Sequence, residues 1–177
     1  MKLLIIDRDG VINHDSAAFI KSTEEWRPIA GSTEAIARLS KAGYRIAVAT
    51  NQSGIARGLY DLPTLHAMHA KMHRLVQEAG GLIDAVFFCP HHENGNCECR
   101  KPRPGMIFEI LRRFDIEPGQ ACMIGDRLTD LQAGHSAGCR TTLVLTGHGQ
   151  ATLTAGGLPA GTTVRVDLGA VAAELAP

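Results

Sequence analysis

Leu3-Leu4-Ile5-Ile6-Asp7-Arg8-Asp9-Gly10 decides the fold of this chain. Four apolar residues in a row, without polar alternation, suit a strand buried on both faces of a parallel sheet. The run stops at a carboxylate, which is costly at the end of a buried strand unless it is paired or bound to a cation. Asp9 follows two residues later and Gly10 closes the stretch. Two carboxylates so placed can serve a divalent cation and a reacting group together. The apolar run is too short for a signal peptide, and Asp7, Arg8 and Asp9 end it.

Outward from this strand, helical and strand patterns alternate. The spacing predicts helices over residues 33–42, 63–79, from Pro104 through Phe114, and over 129–137 and 168–175. Strands are expected at 44–49, 85–88, 121–124, 141–145 and 163–166. Gly43 is placed to end the first helix, and Asp61 or Leu62 to open the second, with Pro63 in its first turn. Its inward stripe reads Leu65, Met68, Met72, Leu75, Val76 and Ala79. The Gly-, Ala- and Thr-rich stretch 146–162 is expected to be loop. Strands alternating with helices imply a parallel sheet covered on both faces, in one domain over residues 1–177. Ligands bind such sheets beyond the carboxyl ends of the strands. Asp7, Thr50, the 89–101 loop and Asp126 all lie just past a predicted strand end, so four dispersed polar features converge on one edge. Asp130 stands one helical turn beyond Asp126.

These features resemble the haloacid-dehalogenase superfamily. Asp7-x-Asp9-Gly10-Val11, Thr50-Asn51, Lys101-Pro102 and Gly125-Asp126-x-x-x-Asp130 match its four motifs in order, across most of the chain. The resemblance implies a three-layer α/β/α Rossmann-like sheet and a phosphatase. Asp7 would attack phosphorus and Asp9 would move the proton. Thr50 and Lys101 would steady the phosphoryl oxygens. Mg²⁺ would be held by Asp7, the backbone carbonyl of Asp9, and Asp126, with Asp130 orienting its neighbours from behind. Dehalogenase members do not carry the second Asp, so Asp9 argues for phosphoryl transfer. The chain has no long insertion that could form a cap domain.

Three of the five cysteines crowd into Cys89-Pro90-His91-His92-Glu93-Asn94-Gly95-Asn96-Cys97-Glu98-Cys99. Three thiolates and one imidazole make a closed tetrahedral zinc site, with His91 and His92 as rival fourth ligands. The family pattern places the ligand at His91. Zinc would order a loop with few apolar residues, and so position Arg100 and Lys101, which follow it.

Within the superfamily, this loop resembles two branches, one acting on heptose 1,7-bisphosphate and one on histidinol phosphate. Residues 50–58 and 99–106 look like the heptose branch. That likeness implies release of the 7-phosphate on the route to nucleotide-activated heptose of lipopolysaccharide. A histidinol-phosphate or broader sugar-phosphate phosphatase is the alternative enzyme, and a non-catalytic zinc-stabilised module the alternative of another class. Candidate substrate contacts are Asp15, Ser16, Asn51, Gln52, Ser53, Arg57, Arg100 and Arg127. After Asn13 the stretch 14–20 departs from the family's usual lining.

Bulk properties agree with a small-molecule enzyme. The 177 residues carry 18 Lys plus Arg against 18 Asp plus Glu, so no global basic field exists to hold nucleic acid. No apolar run approaches membrane-spanning length. Clustered cysteines and the missing targeting segment point to a cytoplasmic protein, with a monomer expected. His66, His69 and His73 read as the polar flank of their helix, Trp26 as a packing residue, and Gly147-His148-Gly149 as plain loop sooner than as a turn near the site. Arg112 and Arg113 read as a solvated helix face.

Overall fold

The structure is a computed structural model and describes residues 2–177. Six parallel strands form one sheet: β1 (Lys2–Ile6), β2 (Tyr44–Asn51), β3 (Ala85–Cys89), β4 (Ala121–Gly125), β5 (Arg140–Val144) and β6 (Thr163–Arg165). Their order is β3-β2-β1-β4-β5-β6, which puts β1 in the middle. Ile6 registers with Val48 on one side and Ile124 on the other. The chain reverses its direction of growth across β1, and the crevice of such a sheet opens there.

The strand pattern explains the layers. Leu4 and Ile6 point to one face, where they pack with Ile36 of α1 (Ser32–Lys41), Met68 of α2 (Leu62–Glu78) and Val171 of α6 (Leu168–Leu175). Leu3 and Ile5 point to the other face, against Ile107 of α3 (Gly105–Phe114) and Ala133 of α4 (Leu128–Ser136). A strand buried on both sides therefore reads as an unbroken apolar run. Ile5 and Ile6 have no exposed surface, and each contributes roughly 1.5–3 kcal/mol by burial.

Helix ends follow the local chemistry. Asp61 accepts from Thr64 N at 2.9 Å and Asp167 accepts from Ala170 N at 2.7 Å, so each caps the helix it precedes. Gly43, at φ 86°, takes the left-handed turn that ends α1. The stretch 146–162 is not all loop. A further helix, α5 (Gly149–Ala155), lies within it. It has no side-chain cap and buries only Gly149, so it carries no apolar stripe for periodicity to find. Among the α2 residues, Leu65, Met68, Met72 and Val76 are buried as expected, Leu75 and Ala79 only partly.

Candidate active site

The site grows from the end of β1. Asp7 continues the ladder, its N–H donating to Ile124 O at 2.9 Å, and so its carboxylate projects from the sheet's carboxyl edge. Asp126 emerges from neighbouring β4, and Asp130 follows on the first turn of α4. Carboxylate oxygens of Asp7, Asp126 and Asp130 all lie within 4.8 Å of one another, and all three residues are buried. Lys101 Nζ reaches into the cluster, 2.8 Å from Asp7 Oδ1 and 2.7 Å from Asp130 Oδ1. Its third donor goes to Ala49 O at 2.7 Å. Burial works against the ammonium, but Asp130 and Asp7 outweigh it and hold Lys101 above its ordinary pKa.

One ammonium does not balance three carboxylates. Burial, followed by the charge of Asp130, pushes the Asp7 carboxyl well above its ordinary range, against the pull of Lys101. Burial and Asp130 likewise raise Asp126 to about 7. Excess negative charge packed around buried oxygens is what a divalent cation relieves. The hydrogen bonding agrees. Asp126 Oδ2 accepts from His148 N at 2.7 Å, while its buried Oδ1 has no partner. That orphaned oxygen fits a hard metal ligand.

The turn 146–148 clasps Asp126. Thr146 Oγ1 donates to Gly10 O at 2.7 Å, and Thr152 Oγ1 to Asp126 O at 2.8 Å. Gly147, at φ 56°, lies so close that a Cβ there would stand 2.2 Å from Asp126 Oδ2 and 2.6 Å from Gly10 Cα. Only glycine fits. The plain loop expected at 147–149 is thus part of the site's wall.

Asp9 faces the other way. Arg8 forks onto it, Nε and Nη2 donating to Oδ1 at 3.1 and 2.9 Å and Nη2 to Oδ2 at 3.0 Å. Asn13 and Gln52 each add a donor at 2.8 Å. Burial acts to raise Asp9, but Arg8, Asn13 and Gln52 overcome it and hold the carboxyl below its usual range. Gln52 Nε2 also donates to Thr50 Oγ1 at 2.9 Å, which leaves the Thr50 hydroxyl hydrogen free for a ligand. Asp7, Asp9, Thr50 and Lys101 line one cleft of about 360 Å³.

Beside the cleft, Cys89, His91, Cys97 and Cys99 bring their ligand atoms within 4.8 Å of one another. Cys89 Sγ lies 3.7 Å from Cys97 Sγ and 3.5 Å from His91 Nδ1, and Cys99 Sγ lies 3.3 Å from the same nitrogen. Ligands on a tetrahedral zinc with Zn–S near 2.3 Å stand roughly 3.5–3.8 Å apart. The donor set and its size therefore fit zinc. His92 turns away, its Nδ1 accepting from Asn94 N at 3.3 Å.

Comparison with known proteins places the chain. A family model described as "HAD-hyrolase-like" matches residues 98–170. The D-glycero-beta-D-manno-heptose-1,7-bisphosphate 7-phosphatase of Bordetella bronchiseptica is 54% identical over 99% of this chain and 98% of its own length. The protein of the same name from Pseudomonas putida is 53% identical over 99% of both chains. This chain belongs to the D-glycero-beta-D-manno-heptose-1,7-bisphosphate 7-phosphatase family. A crystal structure of the B. bronchiseptica D,D-heptose 1,7-bisphosphate phosphatase, complexed with magnesium and phosphate, superposes with a TM-score of 0.97 and covers 99% of this chain and 98% of that one.

Of the candidate substrate contacts singled out in the sequence, all but Arg57 line the cleft: Asp15, Ser16, Asn51, Gln52, Ser53, Arg100 and Arg127. Several of them also bond within the protein, as Gln52 does to Asp9 and Thr50. Asn51 clamps Lys101 through both backbone groups, accepting from its N–H at 3.1 Å and donating to its C=O at 3.0 Å. Asp15 is bridged by Arg127 at 2.8 Å and His148 at 3.1 Å. Arg57 does not line the cleft; Glu93 holds its guanidinium at 2.6 Å, over the ring of Phe19. Residues not foreseen include Arg8, Asn13, Tyr60, Glu93 and His148. Tyr60 donates to Gln52 Oε1, and Glu93 lies 3.9 Å from Arg100. His69 is buried rather than flanking, which corrects the reading at that position, while His66 is exposed and His73 half-buried as a polar flank would be. No described helix is long and apolar enough to cross a membrane.

Proposed function

We propose that this chain hydrolyses the 7-phosphate of D-glycero-β-D-manno-heptose 1,7-bisphosphate with Mg²⁺, through an aspartyl-phosphate on Asp7. The product would feed nucleotide-activated heptose for lipopolysaccharide. The observation that carries the proposal is the meeting of Asp7, Lys101 and the unpartnered Oδ1 of Asp126 beside one cleft. It occurs in a chain 54% identical, over nearly its whole length, to a phosphatase of that name.

Asp7 attacks phosphorus in line with the leaving oxygen of the sugar. Its Oδ1 is paired to Lys101, and Oδ1 also accepts from Arg8 N at 2.8 Å, which fixes the plane of the carboxylate. Asp9 gives a proton to the leaving oxygen and then takes one from the water that cleaves the intermediate. The Arg8 fork holds it ionised, the state the second step needs. Approach of the anionic phosphoryl group raises its proton affinity for the first. The Thr50 hydroxyl and Lys101 donate to the phosphoryl oxygens as charge builds there. As Asp7 engages phosphorus, the donor it occupied on Lys101 turns to the phosphoryl group.

Asp7, the Asp9 carbonyl and Asp126 would hold Mg²⁺, with Asp130 behind them. The metal supplies positive charge that offsets the carboxylates and the incoming phosphate. Cys89, His91, Cys97 and Cys99 would hold a structural zinc that orders the loop ahead of Arg100 and Lys101. Arg100 and Arg127 face the cleft as cations for the sugar hydroxyls or the second phosphate, with Asp15, Ser16, Asn51, Gln52 and Ser53 beside them.

A substrate panel with Mg²⁺ tests the proposal. The heptose 1,7-bisphosphate should turn over fastest and leave the 1-phosphate. Faster turnover of histidinol phosphate would overturn the substrate assignment.

A further inference from the structure

Arg8 separates the two motif carboxylates and is wholly buried. A buried guanidinium must place its donors. Its Nε and Nη2 take Asp9. Its Nη1 points the other way and meets Nε2 of His69, 61 positions along the chain in α2, at 3.3 Å. Arginine offers no acceptor, so that nitrogen of His69 must be bare and the ring proton must sit on Nδ1. His69 itself is buried on the apolar face of α2, with its ring 6.2 Å from that of Phe88. Burial, and then the charge of Arg8, push it down to about 3, which keeps the imidazole neutral and able to accept. The neighbouring buried positions of this helix are Leu65, Met68, Met72 and Val76. An apolar side chain would pack at position 69 as they do. A histidine costs desolvation there and returns one contact, the acceptor for Arg8.

We infer that His69 is a positioning residue for Asp9: its Nε2 fixes the Arg8 guanidinium, and the guanidinium fork fixes the carboxylate that moves the proton. The inference rests on the role proposed for Asp9. Asn13 and Gln52 hold the same carboxylate from other directions, so loss of the histidine loosens Asp9 without freeing it. The effect belongs in kcat, since neither Arg8 nor His69 lines the cleft.

Two variants of like polarity make the test. His69→Gln carries its amide oxygen close to where Nε2 stood and can still accept from Arg8. His69→Asn carries it near Nδ1 and cannot. With the heptose bisphosphate and Mg²⁺, H69N should lower kcat by about 10–100-fold, with KM within about twofold, while H69Q stays within about threefold of the parent. Equal kcat in all three proteins, or equal losses in both variants, would overturn the inference. A second measurement needs no variant. Long-range ¹⁵N–¹H correlation spectra of the parent protein at pH 7 should show His69 neutral, protonated at Nδ1 and bare at Nε2. A proton on Nε2 would overturn the inference as well. Asp9→Asn separates the two readings. If D9N keeps the parent's kcat, the role of Asp9 fails. If D9N is inactive while H69N matches the parent, only the inference about His69 fails.

Discussion

Lys101 Nζ lies 2.8 Å from Oδ1 of Asp7 and 2.7 Å from Oδ1 of Asp130, inside a cluster of three buried carboxylates. All three of its donors are spent within the protein. Lysine here is both the partner of the attacking group and a counter-ion shared with Asp130.

Lys101→Met should therefore do two kinds of damage. Turnover should fall by at least about 100-fold, as for loss of a donor to developing charge. Stability without Mg²⁺ should fall by about 3–5 kcal/mol, because buried carboxylates lose their counter-ion. Urea unfolding with and without Mg²⁺ checks the second effect, and added Mg²⁺ should restore part of the loss.

Gly147→Ala tests the clasp on Asp126. A Cβ at this position would press on Asp126 Oδ2 and on the backbone at Gly10, at a positive φ that disfavours a side chain. Shifting the group that orients a ligand typically costs about 10–100-fold in metal affinity. The Mg²⁺ concentration for half-maximal activity should rise by that order, with the metal content of the cysteine loop unchanged.

If the cluster of Cys89, His91, Cys97 and Cys99 holds zinc as proposed, adjacent histidines should behave in sharp contrast. His91→Ala should lose bound zinc and weaken kcat/KM, since Arg100 and Lys101 follow directly on the loop. His92→Ala should keep one zinc per chain, because its ring points out of the cluster. Elemental analysis of freshly purified proteins distinguishes them.

Buried His69 also leaves a mark on stability. Its pKa is about 3 in the folded chain against an ordinary value of 6.5. Below about pH 6.5 the unfolded chain binds a proton that the folded chain refuses. This contribution to stability is full above 6.5 and is lost as pH falls toward 3, by up to about 1.4 kcal/mol per pH unit. H69Q has no such group, so its urea midpoint should fall less than the parent's between pH 7 and 5.

Strand ends were legible in the sequence because a buried parallel strand is an apolar run that stops. Leu3–Ile6 and Ala121–Ile124 therefore announced where Asp7 and Asp126 would meet. Cys89, His91, Cys97 and Cys99 were legible because metal ligands need several donors close together. α5 was not, since Gly149–Ala155 has no apolar stripe. His148 was hidden because it holds Asp126 through its backbone N–H, which any residue type supplies. Arg57 looked like a cleft residue by position, yet Glu93, 36 residues away, claims it. His69 shares the buried face of α2 with Leu65 and Met72, which helical spacing shows, but its partner Arg8 lies 61 residues away, a pairing that periodicity does not encode.

The central claim is that Asp7 itself takes the phosphoryl group. It is tested by acid-quenching the enzyme during turnover of the heptose bisphosphate, reducing with borohydride and mapping the modified residue by mass spectrometry. Homoserine at position 7 alone is the expected result. Modification at any other carboxylate, or full turnover with no modified residue, would contradict the account.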